Sequence, residues 1–207
     1  MANAWMPAAG RVTSSFLGGR PRGGAPRAVW SVSECDPNRW SAHSVAHRLA
    51  DTGRAVHLVW NPVTGDVAQL LPATVAATGQ LTPDSRVDRA GEGRVCILVQ
   101  VVGHSLKPFT DGPLHGLDPV LAWLDSWGIP RTWPAGPPGS PSPHSDADRE
   151  HRWARGGHFG HSQVPGSVAD GPGAVDVVRL RGDLLPPPRQ ERPGPLPARL
   201  RHVRGGN

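Results

Sequence analysis

The chain has 207 residues, enough for one domain of ordinary size with its own core plus extensions. Glycine and proline together form about a quarter of it, tyrosine is absent, and 21 of the 22 basic residues are arginine, Lys107 being the exception; so much glycine and proline predicts long loops and a disordered portion. The net charge of +5 favours an anionic partner, but much of the excess is a solvated basic tail, no nucleic-acid-binding motif accompanies it, and no apolar segment has the length of a membrane span. Neither nucleic acid nor a membrane is therefore expected as a partner.

Residues 1–26 read as a flexible arm rich in glycine, arginine and proline, with Trp5, Met6, Phe16 and Leu17 as its only anchors. The first thirteen residues lack the apolar core of a signal peptide. The chain is thus expected to be cytoplasmic, leaving the cell only through lysis or another export route. The domain is expected over residues 27–180, opening on an apolar run at 27–33 that reads as a strand. Residues 39–51 carry Trp40, Val45 and Leu49 near helical spacing, with Ser41 and Ser44 as candidate starts. Two apolar runs, 55–60 and 66–71, flank Asn61-Pro62-Val63-Thr64-Gly65, the composition of a hairpin turn.

Residues 94–102 form a nearly unbroken apolar run, interrupted by Gln100, and predict a strand buried on both faces. Leu117, Val120, Leu121, Leu124 and Trp127 recur at helical spacing, and Gly128-Ile129-Pro130 terminates the helix. Residues 134–148 read as a loop, 173–180 as a short closing helix, and 181–207 as a disordered Pro/Arg-rich tail. Cys35 and Cys96 permit one disulfide without implying it, and Cys96 sits where a buried thiol is the default. Strands mixed with helices predict an α/β domain, a single sheet flanked by helices.

Several separated segments, taken in order, resemble the zinc-dependent N-acetylmuramoyl-L-alanine amidases of the amidase-2 and peptidoglycan-recognition-protein fold, in an actinobacterial or phage version. They are Val29-Trp30, His57-Leu58-Val59-Trp60-Asn61-Pro62, Gln69-Leu70-Leu71-Pro72-Ala73, Arg89-Ala90-Gly91, and the stretch from Trp123 to Pro130. The most specific is Gly157-His158-Phe159-Gly160-His161-Ser162-Gln163-Val164-Pro165. The resemblance implies hydrolysis of the amide between the muramic acid lactyl group and the stem-peptide alanine, with zinc polarising the carbonyl and activating water. It also implies three zinc ligands, one open coordination position and a group that handles protons.

Carried over residue by residue, the resemblance retains one ligand, His161. Ser31 stands where the first ligand histidine is expected and Gly171 where the ligand aspartate is expected, with Asp170 one residue away. Gln100 replaces the proton-handling carboxylate and Ala169 a second catalytic histidine. Three readings stay open. One is a catalytically degenerate domain, with zinc absent or weak, that binds peptidoglycan or a muropeptide through Trp30, Trp60 and His158. Another is an active zinc amidase whose site is rebuilt from His57, His158, His161 and Asp170. The third is a decayed gene product.

Overall fold

Residues 96–101 are the most apolar run in the chain, and every one of them is buried. A nearly continuous apolar run of this kind suits a strand covered on both faces rather than an alternating surface strand. This strand, β5 (Cys96–Val101), lies within a six-stranded sheet of order β1-β4-β3-β5-β2-β6. The computed structural model describes residues 2–16, 18–82, 88–139 and 145–182. The other strands are β1 (Gly10–Arg11), β2 (Arg27–Val32), β3 (Leu58–Trp60), β4 (Val67–Gln69) and β6 (Gly157–Gly160). Strand β2 pairs in parallel with β5 on one side and β6 on the other, and β3 pairs in parallel with β5.

The expected hairpin forms between β3 and β4, which are antiparallel. Its turn is held by the Asn61 side chain, whose Oδ1 accepts from the Val63 and Thr64 amides. Gly65 closes it at φ 79, a left-handed conformation that favours glycine.

Alternation along the strands divides the core in two. Trp30, Leu58, Trp60, Ile97, Val99 and Val101 face helix α2 (Leu117–Ser126) and the closing helix α4 (Val177–Leu180). On the opposite face Val29, Val59, Ala68, Cys96 and Leu98 pack with helix α1 (Ala42–Asp51), Trp153 and Phe159. Helix α1 starts where Ser41 Oγ accepts from the Ser44 amide, as an N-cap should. Cys35 and Cys96 are both buried free thiols.

Two expectations need correction. The described part of the expected arm over 1–26, residues 2–16 and 18–26, is not loose: β1 extends the sheet beyond β4, Met6 and Val12 are buried, and Gly19 and Gly23 bridge to Ala76 and Gly93. The clamp is Gln69, fully buried. Its Oε1 accepts from the Met6 amide at 2.7 Å, and its Nε2 donates to the carbonyls of Ala4 and Leu71. The folded unit therefore begins well before residue 27. The region read as a loop over 134–148 also runs into a helix, α3 (Asp146–Ala154), capped by Ser145. The expected tail at 181–207 lies, from residue 183 onward, outside the described residues.

Candidate functional site

The parallel pairing of β2 with β5 and β6 determines which side chains meet. Ser31 is in register with Gln100, and Trp30 is in register with Gly160, so His161 emerges beside Ser31 at the end of β6. These three line one cleft on the α1 face of the sheet, together with Val29, Val32 and Leu98 from the strands and Arg54, Val56, Gln80 and Leu81 from the loops. The cavity is small, about 70 Å³.

Each polar group in the cleft has a local reason for its orientation. The Gln100 amide, 8% exposed, donates from Nε2 to the Val32 carbonyl at 3.3 Å. A carboxylate in that place would set negative oxygen against the carbonyl, so the glutamine fits its surroundings better than glutamate. His161 Nε2 lies 3.1 Å from the Leu81 carbonyl, which can only accept, so this nitrogen carries the proton. Burial pushes the imidazole below its usual pKa; the Leu81 bond opposes this and the Arg54 guanidinium reinforces it.

Arg54 was not foreseen from the sequence, although the signal for its placement was present. Helix α1 ends in a Schellman turn: Gly53, at φ 68, donates to the Ala50 carbonyl and Arg54 to the Leu49 carbonyl. This turn sends the chain back towards the sheet and leaves the Arg54 side chain over the cleft. Gln80 enters the same wall from the segment after β4.

Gly171 lies next to this group. Its carbonyl accepts from the Ser162 amide at 2.8 Å, and a Cβ built on it would stand 3.4 Å from Val32 Cγ2. Ala169 and Asp170 are not among the residues that line the cleft, and Asp170 is exposed.

The proposed binding walls lie elsewhere. Trp30 and Trp60 are wholly buried and His158 is 1% exposed, all on the α2 face. Trp30 Nε1 donates to His158 Nδ1 at 2.9 Å, and His158 also packs against Trp133. These side chains form core and are corrected as groove residues. Strand alternation gives the reason: Ser31 and Trp30 are neighbours on β2, so if one faces the cleft the other faces away.

The rebuilt metal site also fails to assemble. His57 is fully buried, with Nε2 bonded to the Val75 carbonyl and Nδ1 accepting from the Leu98 amide. His158 stands on the opposite face from His161. Among the described residues no group of three or more His, Cys, Asp or Glu side chains converges. Hydrolytic zinc takes three protein ligands. The cleft supplies one imidazole with Nε2 engaged, a hydroxyl, two amides and a guanidinium that repels a cation, a set that does not fit zinc.

Comparison with protein-family models and with curated proteins finds no match. Among solved structures the chain is similar to a selenomethionine derivative of AmpD, at 16% identity over 86% of this chain and 96% of that one, with a TM-score of 0.50. Also similar is the Ph2119 endolysin from Thermus scotoductus MAT2119 bacteriophage Ph2119 (15% identity, 78% and 88% covered, TM-score 0.43). A further neighbour is the endolysine N-acetylmuramoyl-L-alanine amidase LysCS from Clostridium intestinale URNW (10% identity, 87% and 97% covered, TM-score 0.46). The likeness to AmpD, over nearly the whole of that chain, shows the fold: an amidase-2-like α/β domain.

Proposed function

We propose that this domain binds peptidoglycan or a muropeptide without hydrolysing it. The observation that carries the reading is the convergence of Ser31, Gln100 and His161 in one cleft of an amidase-2-like fold. The positions that the resemblance assigns to a first ligand, a proton-handling group and a second ligand meet in space. The residue types at two of them cannot perform those roles. Serine is a poor zinc ligand, and an amide does not titrate and so cannot act as a general base.

In this reading the fold supplies a surface shaped for a wall fragment, and the altered cleft recognises part of it without attacking it. No step of the chemistry runs through a metal. The cleft is too small for a sugar ring or a peptide, so it takes one functional group while the rest of the ligand lies outside it.

The test is co-sedimentation of the purified full chain with insoluble peptidoglycan, combined with assay for stem peptides released from the muramic acid. Retention on the wall with no released peptide is expected. Release of peptides at a rate that His161→Ala abolishes would replace this reading with an active amidase.

A further inference from the structure

The lining of the cleft favours an anion over a cation. Among the described residues no carboxylate lines it, and the one formal charge is the Arg54 guanidinium. Arg54 is exposed, and among the described residues no ion pair involves it. The remaining polar groups of the lining, Ser31, Gln80, Gln100 and His161, are neutral. A cavity of about 70 Å³ holds roughly two waters. It therefore has room for a carboxylate group and not for a ring.

We propose that this cleft is a carboxylate subsite, in which an anionic carboxylate pairs with the Arg54 guanidinium and accepts a hydrogen bond from the Ser31 hydroxyl. Guanidinium is suited to this because its planar fork matches the two oxygens of a carboxylate, and such charge-assisted pairs are stronger than neutral hydrogen bonds. The carrier of the carboxylate is the C-terminal end of a stem peptide, and this part of the inference rests on the wall-binding reading. The subsite itself depends only on the lining of the cleft.

His161 serves as an internal reporter, since its ring lines the same cavity. The experiment follows the His161 imidazole resonances of the full-length protein by NMR at fixed pH. Acetate is titrated against neutral acetamide, and a stem tripeptide acid against its C-terminal amide. Both are repeated with Arg54→Gln and Arg54→Lys, changes at an exposed residue that the fold tolerates.

Acetate, but not acetamide, is expected to move the His161 signals saturably. Arg54→Gln is expected to weaken this by about tenfold or more, and Arg54→Lys to retain part of it. The tripeptide acid should bind better than its amide by a similar factor, a preference lost in Arg54→Gln. If acetate leaves His161 unmoved, the subsite is overturned. Acetate binding without tripeptide binding supports the subsite and counts against the stem peptide as its carrier. Tripeptide binding indifferent to both amidation and Arg54→Gln supports wall binding and overturns the subsite.

Discussion

Acidification tests the buried histidines on which both halves of the core depend. His57 and His158 lie on opposite faces of the sheet, and burial lowers each from 6.5 to about 4. Protonating His57 would turn Nδ1 from an acceptor of the Leu98 amide into a second donor facing it. Protonating His158 would do the same against the Trp30 indole N–H. The unfolded chain binds these protons near pH 6.5, whereas the folded chain resists them until about pH 4. The stability from the neutral rings is therefore fully present above pH 6.5 and is lost as pH falls towards 4. At pH 5 the loss is about 2 kcal/mol per histidine, or roughly 4 kcal/mol for the pair. That is a large share of the stability of a domain this size. Urea unfolding of the full chain at pH 8 and pH 5 measures it, with both imidazoles expected to stay unprotonated at pH 5 by NMR. Equal unfolding free energies at the two pH values, within about 1 kcal/mol, would refute the placement of these rings.

Three further outcomes follow from the same packing. Gln69→Ala removes the partners of the Met6 amide and of the Ala4 and Leu71 carbonyls. It should cost about 3 kcal/mol and expose the N-terminal segment to trypsin at Arg11 and Arg22; unchanged protease resistance would contradict the clamp. The double substitution Ser31→His with Gly171→Asp adds two ligand types beside His161. It should bring zinc affinity from weaker than about 1 mM to about 10 µM or tighter by titration calorimetry, whereas no gain would show that Ser31, His161 and Gly171 do not come close enough to share a metal. The described core should also melt as a cooperative unit by circular dichroism, in contrast to the featureless, random-coil signal expected of a decayed product.

Much of the fold was legible because its signals are local. The apolar run of β5, the Asn61–Gly65 turn and the spacing of Leu117, Val120, Leu121 and Leu124 each report on their own segment. The N-terminal segment was not legible, because what orders it is a distant side chain. Nothing near residues 4–6 announces Gln69, and nothing near Asn3 announces the Trp123 indole that donates to its carbonyl. Helix α3 was missed for a different reason: Trp153 is its one buried residue, so it lacks an apolar stripe and is marked mainly by the Ser145 cap.

At the site, the positions of Ser31, Gln100 and His161 were legible through resemblance, while the choice of Trp30 as a companion ignored strand alternation. Trp30 and Ser31 are adjacent on β2 and point to opposite faces of the sheet, Trp30 into the α2-side core and Ser31 into the cleft. Arg54 was overlooked because an arginine after a helix-ending glycine reads as solvated surface until the Schellman turn is seen folding it over the sheet.

Zinc stoichiometry tests the central claim most directly. The full-length protein is equilibrated with excess zinc, freed of unbound metal by gel filtration, and assayed by elemental analysis beside His161→Ala. The residues of the cleft predict less than about 0.1 zinc per chain in both proteins. One firmly held zinc per chain in the unaltered protein, absent from His161→Ala, would contradict the account.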